Sequence, residues 1–195
     1  MRATLCVLIS SFCLMCLGCS SLTGIPLVWK PTSDTYGENS GTNTLSSGQR
    51  IKVMPFTDNR DNKAEIARNI ESGNPKLVTT KDDVSKWCTD RFKEILQLHG
   101  FDLTETGETV QLRGEVVQFH VVEDTLYKGT VALKITVEAP DKTMLWQGLS
   151  TGKAKRFGRS YSQENYYETL SDAYLEAVRT LIKDDSFVKA LRGIK

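Results

Sequence analysis

Residues 5–21 read LCVLISSFCLMCLGCSS, an apolar run introduced by the basic Arg2 and closed by Leu17-Gly18-Cys19-Ser20. A run of this length is too short to span a bilayer as a stable helix. With a basic start and a small-residue end it has the architecture of a secretory signal peptide. The part that must fold is therefore the exported remainder. Loss of residues 1–18 removes Arg2 and leaves 24 basic against 24 acidic residues, a formally neutral chain. Nucleic acid calls for Lys and Arg clustered on one face, so it is not an expected partner. Attachment to a membrane through a basic patch is equally unsupported.

Gly18-Cys19 resembles the lipobox of bacterial lipoproteins. The resemblance implies that Cys19 carries lipid on its sulfur, that the signal is cut in front of it, and that the new amino terminus is acylated in turn. Cys16 stands three positions before it, where an aliphatic residue is commoner. A plain secretory signal that happens to contain Cys19 is therefore the alternative. Each buried methylene contributes about 0.8 kcal/mol, so one acyl chain binds marginally and two or three hold firmly. Cys6, Cys13 and Cys16 leave with the signal and Cys19 is taken by lipid, so Cys88 alone remains and no disulfide can form within the mature chain. A folded region of roughly 145 residues must then rest on its hydrophobic core, for which that size is ample.

The organisation expected is a signal peptide at 1–18, the lipidated cysteine and a flexible tether at 19–48, and one periplasmic domain at 49–195. The tether is rich in Ser, Thr, Gly and Asn. Some thirty such residues have a reach of about 30 Å, or ~100 Å when stretched. Ile25, Leu27, Val28 and Trp29 interrupt its polarity. They pack back on the domain or on a partner, or else touch the lipid interface beside the anchor.

Residues 50–56, RIKVMPF, predict a short strand closed by proline, and its exposed edge is a natural docking site for another strand. A polar loop follows at 57–62, whose Asp and Asn residues fit turns rather than a calcium loop. Thr80 is expected to cap a helix with Asp83 three residues on. Val84, Trp87, Cys88, Phe92, Ile95 and Leu96 form its apolar stripe, and Gly100 ends it. Alternation at 110–122 changes phase near Val116-Val117, which predicts a β-bulge. Strands follow at 130–138 and 144–155, with a turn at 139–142. A second helix begins near Ser162, with Tyr167, Leu170, Tyr174, Ala177, Val178 and Leu181 on one stripe and a polar back. Asp184-Asp185-Ser186 breaks it before a last helical turn at Phe187, Val188 and Leu191.

Chemistry is sparsely signalled. His99 falls at the end of the first helix, where a cation favours the carbonyl end of the dipole and a capping role is expected. His120 sits on a strand near Glu123 and Asp124, which is thin support for a metal site. Cys88 on the apolar stripe reads as a buried, inert thiol. Gly148-Leu149-Ser150-Thr151-Gly152 has the letters of a nucleophile elbow, but the elbow needs a strand entering a helix and here the strand continues. No cofactor and no metal ligand set is expected, and no catalytic residue is identified.

Several stretches together resemble the YajG-like family of uncharacterised bacterial lipoproteins. They are Val53-Met54-Pro55-Phe56 with Asp58-Asn59-Arg60, Gly100-Phe101, Leu112-Arg113-Gly114, and Lys183-Asp184-Asp185-Ser186-Phe187. More loosely, the chain is similar to small periplasmic lipoproteins of βαβββα type, including the lipopolysaccharide-assembly and transporter-auxiliary lipoproteins. The resemblance covers roughly residues 50–195. It implies a domain on the periplasmic face of the outer membrane, with no catalytic residues to carry over. The fold class expected is α+β, a four-stranded, mostly antiparallel sheet with two helices packed on one face. The function expected is non-enzymatic, scaffolding or assisting an envelope complex with a protein partner. The alternative is a carrier that holds lipid or another apolar ligand in a cleft lined by Trp87, Phe92, Tyr167 and Tyr174.

Overall fold

The computed structural model describes residues 22–32, 50–107 and 109–192. Its elements in chain order are β1 (Ile51–Val53), β2 (Thr57–Asp58), β3 (Glu65–Asn69), β4 (Lys76–Thr79), α1 (Val84–Leu98), β5 (Val110–Glu123), β6 (Tyr127–Glu138), β7 (Met144–Arg156), α2 (Gln163–Ile182) and α3 (Asp185–Leu191). The three long strands form an antiparallel meander, with Leu112 opposite Val137 and Leu133 opposite Ser150. Their inward residues, among them Val110, Leu112, Val116, Phe119, Val131, Leu133 and Ile135, make the core floor. The bulge falls where alternation changes phase: the register slips between Val116 and Gln118. Val117 is pushed outward and Phe119 restores the inward phase.

The α+β class holds, but the sheet is larger than expected. Among the described residues it has seven strands and is mixed, in the order β4-β3-β5-β6-β7 with β1 and β2 also on β5, and three helices accompany it. β1, β2 and β3 lie end to end along one edge of β5, all parallel to it, with Ile51 beside Val110, Thr57 beside Glu115 and Ala67 beside Val121. Pro55 has no N–H to give and interrupts the ladder between the first two. Phe56 then turns inward onto Gly114, where even a Cβ would lie 2.5 Å from its ring. β3 and β4 form a hairpin beyond this composite edge. The expected free edge at 50–56 is therefore occupied: Ile51 pairs with Val110 on one side and bridges Leu103 on the other. Among the described residues β7 ends the sheet on the opposite side and carries no strand beyond it.

α1 is capped by Asp83, which accepts the Lys86 N–H at 3.0 Å, and not by Thr80. Thr80 is buried instead, its N–H donating to the Ala64 carbonyl. Gly100 ends the helix at φ 81°, a backbone conformation glycine enters without strain. α2 crosses β6 and β7 at very short range. A Cβ on Gly152 would lie 2.0 Å from the Ala173 carbonyl oxygen, so the bare backbone of β7 is what lets the helix settle. Asp184 caps α3, whose Phe187 meets Trp146 edge to face at 5.1 Å. The other face of the meander is open, with Arg113–Glu138 and Lys134–Glu115 ion pairs across it. None of the described helices is long and apolar enough to cross a membrane.

Candidate functional site

Residues 22–32, read from sequence as part of the tether, lie folded on the domain as a strap. At its start the Leu22 N–H donates to the Tyr161 hydroxyl at 3.1 Å, and the Leu22 carbonyl accepts from the Thr79 N–H at 3.0 Å. Ile25 is buried and bridges Thr80 beside β4. The Leu27 N–H is held by the Asp82 carboxylate at 2.6 Å. Trp29 then enters between the helices, its ring 5.6 Å from Trp87 and 6.2 Å from Tyr174 in edge-on geometry. Of the destinations open to these apolar residues, the domain itself is the one that Ile25, Leu27 and Trp29 occupy, while Val28 stays exposed.

The far end of the strap is fixed by charge. The Lys30 ammonium pairs with Glu164 and with Glu168, and the Lys30 backbone N–H donates to the Ser171 hydroxyl at 2.9 Å. Glu168 is nearly buried and also pairs with Arg156 of β7. Thr32 gives both N–H and hydroxyl to the Asp172 carboxylate, at 2.7 and 2.6 Å. The hydrogen bonds to Glu164 and Glu168 favour charged Lys30 and push its pKa up. The back of α2 is thus polar because it meets the strap. The apolar residues Ile25, Leu27, Val28 and Trp29 were the sequence signal for this contact, and Lys30, Glu168, Ser171 and Arg156 gave none.

Two buried ionisable clusters hold loops on the sheet. Arg60 chelates Asp58 through two nitrogens at 2.9 and 2.8 Å, and donates to the carbonyls of Lys63 and Glu65 at 2.6 and 2.8 Å. Beside it a cavity of about 180 Å³ is lined by Asn62, Glu65, Phe119 and His120. His120 lies 3.1 Å from the Glu65 carboxylate, which Arg68 also holds at 2.8 Å. Burial drives the His120 pKa down, outweighing the opposing pull of Glu65. Burial would raise the Glu65 carboxyl, but His120 and Arg68 overcome it and hold it low. The expected neighbours of His120 are not there: Glu123 points to the opposite face. The described residues bring together no group of three potential metal ligands.

Glu123 forms the second cluster, at the end of β5. It is 2% exposed, accepts the Tyr161 N–H at 2.7 Å, and takes a short hydrogen bond from the Tyr166 hydroxyl. The Tyr127 hydroxyl donates to the Arg159 carbonyl at 2.6 Å and accepts the Ser162 N–H at 2.9 Å. Residues 157–162 are therefore pinned to the sheet, with Tyr161 at φ 51°.

The other sequence-derived candidates resolve as follows. Cys19 lies outside the described residues. Cys88 is buried, and burial pushes its thiol far up. The Cys88 carbonyl accepts the Tyr174 hydroxyl at 2.5 Å. His99 caps α1, its Nδ1 2.8 Å from the Ile95 carbonyl. Ser150 is buried on β7 and donates to the Ala177 carbonyl at 2.7 Å, a strand-to-helix tie in the place of an elbow. Trp87 and Tyr174 come together, 5.2 Å apart, while Phe92 meets Phe56 at 5.2 Å with the rings tilted and Tyr167 meets Gln163. These rings fill the space between helices and sheet by packing on one another and on Phe119 and Trp29.

No protein-family description matches this chain, and no curated protein matches it in sequence. Its fold is shared. A protein from Xanthomonas campestris, of family DUF330, superposes with TM-score 0.54 at 12% identity over 74% of this chain and 85% of that one. An uncharacterised protein gives 0.48 at 8% identity over 68% and 89%, and a lipoprotein so described from Caulobacter crescentus gives 0.42 at 10% over 54% and 82%. At such identities the likeness is one of fold, carried by the first of these, and it places no functional residue.

Proposed function

We propose that the chain is a YajG-like periplasmic lipoprotein, anchored through lipid on Cys19, that scaffolds or assists an envelope complex without catalysing a reaction. The observation that carries this reading is the strap. Leu22, three residues after the acylation site, is already held on the domain, so the anchor lies close to the packed fold. Ser20 rather than aspartate after the cysteine favours the outer membrane in a two-membrane host. The buried ionisable groups support a non-catalytic role: Arg60, Glu65, Glu123 and Glu168 each bond the backbone or side chains that hold a loop, hairpin or strap in place. A protein partner has a place to dock on β7, a 13-residue edge with Met144 and Leu149 exposed along it. Unpaired backbone on such an edge accepts another strand.

The test is photocrosslinking in cells from a reactive residue placed at Leu149, comparing the native chain with Cys19→Ala. The reading expects one envelope protein captured from the lipidated form and lost in the variant. Capture of nothing from either form sinks it.

A further inference from the structure

The strap has a direction as well as a seat. The bridge between Ile25 and Thr80 is parallel, so passing back from Ile25 to Leu22 runs toward the start of β4 and the β3–β4 turn. From Leu22 three residues remain to Cys19, and three residues span at most about 11 Å in any conformation. The lipid-bearing residue therefore lies within that distance of the point where Tyr161 and Thr79 hold Leu22.

That end of the molecule is built from the β3–β4 turn at 70–75, the β5–β6 turn at 124–126 and the β7–α2 connection at 157–162. Its pieces are tied to one another. The Ile70 N–H donates to the Glu123 carbonyl at 2.8 Å, the Ser160 hydroxyl bonds Glu71, and the Lys76 ammonium sits 5.2 Å from the Tyr161 ring centre. Here the surface leaves large apolar side chains bare: Ile70 is 41% exposed, Leu77 46% and Phe157 83%. Lys76 and Arg159 belong to the same end. Its acids Glu71 and Asp124 are taken up by Ser160 and Lys128.

We infer that this end faces the membrane, and that the bilayer holding the acyl chains on Cys19 is what covers Ile70, Leu77 and Phe157. The inference rests on the acylation of Cys19 proposed above. A thirty-residue tether leaves a domain free to turn, whereas a three-residue lead into a fixed strap selects which end meets the headgroups. Aromatic and aliphatic side chains settle at that boundary, and lysine and arginine extend their charged heads along it. The β6–β7 turn around Lys142, at the other end of the meander, then points away into the periplasm together with Met144.

The test uses the full acylated chain in vesicles of phosphatidylethanolamine and phosphatidylglycerol. Cys88 is buried and Cys19 is blocked by lipid, so a single cysteine introduced at Phe157, Leu77 or Lys142 takes a fluorescent label alone. All three positions are solvent-exposed, so the substitutions leave the core intact. Lipids with brominated chains should quench the label at Phe157→Cys and Leu77→Cys several-fold more than at Lys142→Cys. Releasing the strap with Trp29→Ala and Lys30→Ala should abolish that contrast while the protein still floats with the vesicles. Equal quenching at the three positions in floating protein overturns the inference. A contrast that survives release of the strap removes the strap as its cause. Protein that fails to float overturns the anchor itself, and with it both this inference and the reading it rests on.

Discussion

Arg60 shows how a single side chain can organise a stretch that looks like plain polar loop. Nothing in TDNRDN marks it for burial, because its partners are Asp58 two residues back and three backbone carbonyls, one of them on Phe119. Removing one member of a buried pair strands the other charge, at about 3–5 kcal/mol. Arg60→Ala should therefore cost that much in urea unfolding, and Arg60→Lys should recover little, since an ammonium cannot reproduce the fork. An unchanged midpoint in either variant would show the loop to be held otherwise. Glu123 makes a second residue-scale case. Burial works against its charge, but Tyr166, the Tyr161 N–H, Asn69 and Ser160 outweigh it and hold the carboxyl below 4.5. As pH falls the unfolded chain takes up the proton first, so the stability Glu123 contributes is present above about pH 4.5 and lost below it. Glu123→Gln should be less stable than the native chain by about 1–3 kcal/mol at neutral pH. That gap should close as unfolding is followed down to acid pH, and a gap constant with pH would rule the charge out as its source.

At the scale of elements, legibility followed periodicity. α1, α2 and the long strands β5 to β7 repeat their apolar positions often enough to show, and even the bulge at Val117 announced itself through a phase change. β2, β3 and β4 did not, for they are two, five and four residues long and carry Asp58, Glu65, Arg68 and Lys76. Their pairing is decided by the neighbouring edge of β5, a long-range fact absent from any local pattern. The same holds for the cap of α1: the helix starts at Val84, directly after Asp83, and the Thr80 hydroxyl accepts the Asp82 N–H ahead of it. Gly152 is an element-scale residue of this kind. It reads as a flaw in a strand and serves as the contact plane of α2. Gly152→Val should force the helix off β7 and cost several kcal/mol, since α2 backbone rather than a flexible side chain stands in the way. A thermal melt would register it as a large fall in midpoint. A fall no greater than that of Lys153→Val, on the exposed side of the same strand, would mean that the helix adjusts freely.

For the whole molecule the decisive question is whether residues 22–32 are an attachment or part of the fold. Composition places them in a polar lead, and only four apolar side chains argued otherwise. In the structure they pack on α1 and α2. Without them Trp87 and Tyr174 lose the Trp29 ring, Ser171 loses the Lys30 N–H, and nearly buried Glu168 keeps Arg156 but loses Lys30. Ile25 is buried, and Leu22, Leu27 and Trp29 pack against the core in part. At about 1.5–3 kcal/mol for each fully buried side chain, their removal withdraws several kcal/mol from a domain whose total is of the order of 5–15. A chain beginning at residue 22 should therefore unfold at the same urea concentration as one beginning at residue 19 without lipid. A chain beginning at residue 33 should unfold at a much lower one, or fail to fold. The two shortened chains both lack the anchor, so a difference between them reports packing and not the membrane. Equal midpoints for the two would return residues 22–32 to the status of a tether and would free the domain to stand away from its bilayer. A large difference would mean that the segment leading from the lipid cannot be cut or displaced without loosening the domain, which ties the folding of this protein to its attachment.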